Sequence, residues 1–293
     1  MNLSVFLVAL AAVVIWSGGP VATKLGVNEL PVLLVATMRT CLGGLLVLPL
    51  VLALRIPLPR EARQLGLLAL SGLSSYVAFP LLFCYGMTKT SGTHGVMILA
   101  FLPVLTGLIV HLSEWRLPRV TWWLGCAIAF CGELVLLGSS ATESATASSL
   151  YGDQVVFAST IFLALGYVTG GNLARTGYPA QGTTYWSVVI ASVLLLPLLP
   201  FIFEGADLAS ASWVAWAGVL YLAAGVTVAG YILWFWAMAR GGIARVSLVQ
   251  FFQPVSGVLF ASFLLHEPLS LQLLLAAGLI IGGVAIANRI KAG

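Results

Sequence analysis

Two ionisable side chains stand inside stretches that are otherwise almost wholly apolar. Arg39 lies in "VLLVATMRTCLGGLLVLPLVLAL" (32–54) and Glu133 in "WWLGCAIAFCGELVLLG" (122–138). A charge in hydrocarbon costs free energy unless a partner, a polar cavity or the membrane interface meets it, so such residues are candidates for function. Three readings are open: Arg39 and Glu133 form an ion pair that serves function or carries a proton, they share one polar cavity, or they are a structural pair or two snorkelling chains. Gln250 and Gln253 stand three apart on one helical face. Their amides either join helices or hydrogen-bond the polar end of a solute. Pro103 and Pro254 lack an N–H and clash with the carbonyl four residues earlier, which frees the carbonyls of Leu99 and Gln250. Those carbonyls need a neighbouring helix or a wet path.

Aromatic residues accompany these polar groups. Tyr76, Phe79 and Phe83 form a helical stripe, matched by Thr227, Tyr231 and Trp234; Phe101 and Phe252 flank the two prolines, and Trp16 and Tyr167 sit in the first and sixth apolar runs. Singly, each is accounted for by packing. As a set they wall a pocket suited to a solute with an apolar or aromatic body and a polar end.

No catalytic constellation accompanies them. His266-Glu267-Pro268-Leu269-Ser270 lacks a second histidine for HExxH, and His94 and His111 are scattered near run ends. There is no GxSxG and no Walker loop, so a membrane enzyme is disfavoured, no cofactor or metal is expected, and no nucleotide-hydrolysing partner is implied. The cysteines Cys41, Cys84, Cys126 and Cys131 all lie in apolar runs without CxxC spacing and read as packing residues.

The elements that must position these residues follow from composition. The 293 residues are 60% hydrophobic and 8% charged, against about 25% charged in soluble domains, so the surroundings are a lipid bilayer. The net charge of +4 is no nucleic-acid footprint. Ten runs are long enough to cross as helices: Leu3–Ala22, Pro31–Leu54, Gln64–Tyr85, Thr93–Leu112, Arg119–Gly138, Gln154–Leu173, Thr183–Phe203, Ser212–Met238, Ala244–Leu265 and Ser270–Asn288. They are continuous, not alternating, which excludes barrel strands. With both termini cytoplasmic, the loops on that side hold Arg55, Arg60, Arg63, Arg116, Arg119, Arg175, Arg240, Arg245, Arg289 and Lys291, and the far side only Lys24 and Lys89. Arg39 then lies about 12 Å and Glu133 about 8 Å from the far face, at the helical rise. Trp122, Trp123, Trp213 and Trp216 at span starts read as interface anchors, and Gly125, Gly132, Gly278, Gly282 and Gly283 as close-packing positions.

The chain also overlies itself. "YVAFPLLFCYGM" (Tyr76–Met87) falls on "TVAGYILWFWAM" (Thr227–Met238), and Pro103 on Pro254 without a gap. This predicts duplication: an all-α integral membrane protein of ten helices in two inverted five-helix repeats, 1–138 and 154–293, joined by a periplasmic linker at 139–153. Five spans per repeat invert the second copy, the plan of many secondary transporters.

The order of motifs resembles the EamA branch of the drug/metabolite transporter superfamily. "IWSGGPVATKLGVNELPVLLVATMR" carries the Trp of span one (Trp16) and the Arg of span two (Arg39) after Pro31, while Pro103 with Glu114 and Pro254 with Glu267 occupy the Pro-to-"gE" places, the first interval two residues shorter. Within that branch the chain resembles the YddG-type aromatic amino-acid exporters. The resemblance implies a basket-like bundle in the bacterial inner membrane, exporting aromatic and other neutral amino acids from a central cavity, with Arg39 or a freed backbone group meeting the carboxylate. Export of other metabolites or drugs, a membrane enzyme, and a non-transporting scaffold are the competing readings.

Overall fold

A computed structural model of the chain describes residues 2–90, 95, 98–115, 117–138, 150–203, 208, 211–253, 255–256 and 271–288, with backbone alone at 133, 136–138, 272–274 and 288. Ten apolar helices occur among the described residues, and no strand. In chain order they are α1 (Leu3–Glu29), α2 (Val32–Ala53), α3 (Ala62–Lys89), α4 (Leu102–Ser113), α5 (Val120–Gly138), α6 (Leu150–Arg175), α7 (Ala180–Phe203), α8 (Trp213–Gly241), α9 (Ile243–Phe252) and α10 (Leu271–Asn288). Of these, α1, α2, α3, α6, α7 and α8 are long and apolar enough by themselves to cross a bilayer. Large apolar side chains such as Leu3, Leu45, Leu52, Phe201 and Ile281 point outward, as a surface solvated by lipid requires.

Several expectations shift at the ends. The first helix runs on past Ala22 to Glu29 but breaks at Gly18. Pro20 stands in the first turn of the second piece and has no N–H to offer the Trp16 carbonyl. Pro103 occupies the first turn of the piece Leu102–Ser113, where a missing N–H is harmless; Gly95, Ile98 and Leu99 are helical before it and the path turns at Ala100 and Phe101, so the span is interrupted just ahead of the proline. Helix α6 starts at Leu150, inside the stretch read as linker. Gly242, at φ +81, provides the left-handed turn between α8 and α9.

Helices α3 and α8 each contain a π-helical segment, Leu73–Ala78 and Tyr221–Gly230, at positions the internal overlay superposes. Such segments interrupt the i→i−4 ladder and recur at functional sites. In α3 the segment precedes Pro80, whose absent N–H leaves the Tyr76 carbonyl open. The Thr40 hydroxyl of α2 donates to it at 2.8 Å. The Tyr231 hydroxyl of α8 makes a long bond, 3.5 Å, to the Ser75 carbonyl.

Small residues bring the helices together. Gly125 of α5 and Gly283 of α10 meet backbone to backbone, and Ser192 of α7 donates to the Thr40 carbonyl at 2.8 Å. Gly278 and Gly282, read as packing positions, face open space instead. Trp122, read as an interface anchor, is buried over Gly107 and against His111, while Trp213 and Trp123 are exposed. Cys131 is exposed rather than packed. His94 and His266 lie outside the described residues.

Candidate functional site

The polar and aromatic residues of both halves converge between α1, α2, α3, α6, α8 and α9. Trp16 is the hub. Its ring stacks on Tyr167 at 5.6 Å and 11° and meets Tyr231 at 5.2 Å and Trp234 at 5.1 Å. Tyr76 lies 4.6 Å from Tyr231. The indole is held at three points. Its Nε1 donates to the Val226 carbonyl at 3.0 Å, within the π-helical segment of α8. Its plane lies on Gly230, where a Cβ would meet Nε1 at 2.3 Å. Its backbone carbonyl, which Pro20 cannot serve and which also accepts the Gly18 N–H, accepts from Gln253 Nε2 at 3.3 Å. Gly230→Ala is therefore expected to push the indole off this seat, quenching-accessible and red-shifted in fluorescence, while the helix itself gains propensity. An unchanged spectrum would show that Gly230 is not what positions Trp16.

These rings border one cavity of about 50 Å³, lined by Trp16, Arg39, Phe79, Phe83, Leu99, Tyr167, Tyr231, Gln250 and Gln253. This is room for a few water molecules, well below the ~300 Å³ of small ligand sites. Arg39 is 3% exposed. Its Nε donates to Thr227 Oγ1 at 3.4 Å, and its guanidinium carbon sits 6.0 Å from the Phe79 ring centre. A long bond to the Thr227 hydroxyl and a bond with the Cys84 thiol, both neutral partners, compensate little of the charge, so the guanidinium remains a strong anion-seeking group at the cavity wall. Gln250 is also buried. Its Nε2 donates to the Tyr167 hydroxyl at 3.3 Å, and its Oε1 has no hydrogen-bond partner among the described residues.

Tyr76 and Trp234 pack behind the lining. Other expected site residues fall elsewhere. Phe101 is 38% exposed and packs on Phe130 and Phe157, because α4 starts just beyond it and turns its ring outward. Phe252 packs edge-on against Phe6. The Gln250 carbonyl, expected to be free, accepts the Gln253 N–H across a 3-10 turn. Pro103 lies off the cavity in the first turn of α4, and Pro254 lies outside the described residues. The side chain of Glu133 does also, so its pairing with Arg39 does too; its helix α5 packs on α10 and α9. Among the described residues no three His, Cys, Asp or Glu side chains could share a metal ion.

Gly19, Pro20, Thr23, Leu102, Leu163, Leu222 and Val226 complete the lining and were not singled out from sequence. A signal for Leu102 was available. The offset that lays Tyr76 on Thr227 also lays Trp16 on Tyr167, Leu99 on Gln250 and Leu102 on Gln253. Every member of these last three pairs reaches the cavity.

Comparison with known proteins places this arrangement. The family described as "EamA-like transporter family" matches residues 3–138 and again 150–289. Similar curated proteins include the "Uncharacterized transporter YdeK" of Bacillus subtilis, 29% identical over 94% of both chains. The "Probable amino-acid metabolite efflux pump" of Salmonella typhimurium is 29% identical, covering 95% of this chain and 92% of its own. The "Probable terminal-alkyne amino-acid exporter" of Streptantibioticus cattleyicolor is 27% identical over 94% and 91%. A solved crystal structure superposes with a TM-score of 0.78 over 99% of this chain and all of the other at 19% identity, a likeness of fold.

Proposed function

The chain belongs to the EamA-like transporter family, a family of ten-helix membrane proteins, and from that premise we propose that it is a secondary exporter of aromatic and other neutral amino acids. The observation that carries the reading is the cavity itself: a buried, weakly compensated Arg39 beside the Trp16, Tyr167 and Tyr231 rings. An amino acid brings what each wall lacks, a carboxylate for the guanidinium and an apolar or aromatic body for the rings. The efflux-pump and exporter names of two relatives support the same substrate class. Chemistry on the substrate is not part of the reading, since its residues bind rather than react.

Two inverted five-helix repeats, 1–138 and 154–293, are proposed to rock about this cavity. The double family match, the superposed π-helical segments and the Trp16–Tyr167 stack between overlaid positions support this. A cavity of about 50 Å³ must widen to admit the solute, and the proposal adds that it opens to one side of the membrane at a time. The charge asymmetry of the loops supports cytoplasmic termini in a bacterial inner membrane.

Counterflow in proteoliposomes tests the proposal. Preloaded tryptophan or phenylalanine is expected to drive saturable uptake of labelled amino acid, with unrelated drugs inert. Saturable flux of drugs or other metabolites but of no amino acid would overturn the substrate class. No flux of any solute would return the chain to a scaffold role. Comparing flux with and without an imposed pH gradient decides whether a proton accompanies the solute.

A further inference from the structure

The two halves contribute unequal chemistry at overlaid positions of the cavity. Leu99 and Leu102 face it from the first half, whereas Gln250 and Gln253 stand at the overlaid places of the second. Gln253 is already committed, its Nε2 bound to the Trp16 carbonyl. Gln250 is half-committed: Nε2 holds the Tyr167 hydroxyl, and Oε1, on a residue 4% exposed, has no donor among the described residues. A buried acceptor left unpaired is destabilising unless something supplies a donor. We propose that Gln250 Oε1 is the specificity-determining acceptor for the substrate's ammonium group, so that the cavity selects zwitterions over the corresponding acids and amines.

The surroundings fit that role. Gln250 adjoins Tyr167, whose ring stacks on Trp16, and aromatic faces attract an ammonium. Arg39, on the same cavity, repels a lone amine and attracts a carboxylate. A solute carrying both groups satisfies both poles. A solute with the carboxylate alone leaves Oε1 unpaired, and a solute with the ammonium alone leaves the guanidinium unpaired. Sites built to hydrogen-bond a polar group reject analogues that lack it far more strongly than apolar pockets reject a missing methylene.

The inference rests on the amino-acid reading above, and the experiment separates the two. Labelled L-phenylalanine counterflow into proteoliposomes of the full chain is competed with 3-phenylpropionate, which lacks the ammonium, and with phenethylamine, which lacks the carboxylate. In the wild type, phenylalanine is expected to compete at least about tenfold better than either analogue. Gln250→Leu is expected to weaken phenylalanine about tenfold while leaving 3-phenylpropionate unchanged. Gln250→Met, closer in shape, serves if the leucine variant does not fold. Gln250→Glu is expected to improve phenethylamine. Wild-type counterflow of phenylalanine, with both apolar variants still preferring it over 3-phenylpropionate as the wild type does, overturns the role of Gln250 and leaves the amino-acid reading intact. Absence of counterflow by any amino acid in the wild type overturns that reading, and this one with it.

Discussion

Arg39→Met is expected to abolish amino-acid flux, a fall of about 100-fold or more, while leaving the protein at least as stable as before. Both halves of that result follow from how poorly the guanidinium is compensated. It is almost fully buried, and its described partners are all uncharged: a long bond to Thr227, the Cys84 thiol and the distant face of Phe79. A buried charge of this kind costs stability, and an apolar residue of similar reach often restores it. Methionine fills the same volume and needs no partner. The bound carboxylate, by contrast, loses a desolvated charge-assisted hydrogen bond of about 2–5 kcal/mol, hence the 100-fold. Arg39→Lys keeps the charge without the planar fork and should recover part of the flux. Thermal unfolding and counterflow on the same preparations check this. If stability and flux fall together in Arg39→Met, the residue is structural and the substrate's anion is met elsewhere.

The second large effect concerns the fold. Gly283→Ala should destabilise the protein by about 3 kcal/mol, the upper end of overpacking costs. A Cβ there would lie 2.5 Å from the Ala129 nitrogen and 2.6 Å from the Gly125 carbonyl oxygen. Both are backbone atoms, so no rotamer relieves the clash and α5 and α10 must move apart. Gly282→Ala is the control. Its neighbourhood holds nothing within 4 Å, and alanine improves helix propensity by about 1 kcal/mol. Thermal unfolding of the two variants should therefore move in opposite directions. Equal shifts would mean that the close approach of the two helices is not limiting.

That pair of adjacent glycines also marks what can be read from sequence. Hydropathy locates the helices because lipid demands an apolar run wherever the chain crosses, but it treats Gly282 and Gly283 alike. Which of them faces α5 depends on helix phase, which the nearly uniform apolarity of α10 does not encode. Breaks inside helices were legible only in part: the turn at Ala100 and Phe101 lies just ahead of Pro103, and Pro254 lies outside the described residues. Pro103 and Pro254 stand out because they match, whereas Pro20 and Pro80 withhold an N–H from the carbonyls of Trp16 and Tyr76, to which Gln253 and Thr40 donate. Trp16, Tyr167, Tyr231 and Arg39 were legible as a set, because aromatic residues that packing explains singly, together with a charge in a crossing helix, point to one shared cavity. Phe101 shows the limit, since an aromatic beside a proline faces inward or outward according to where the helix begins. The register of the repeats, applied to Leu99 and Gln250, held more than the count of identical residues suggests: the paired positions differ in chemistry while sharing a place.

The π-helical segments in α3 and α8 carry a geometric consequence. Each wide turn accommodates one residue more than an α-turn, and one residue is about 100° of azimuth. Phe79 and Phe83 after the first segment, and Tyr231 and Trp234 after the second, therefore owe their inward heading to that surplus, about one residue in the six of α3 and about two in the ten of α8. Excising a single residue from either segment would swing the downstream rings toward the acyl chains without altering one apolar residue of the hydropathy profile. Conversely, sliding the bulge along its helix reorients those rings step by step, a means of turning them that requires neither helix to tilt nor any crossing to unfold.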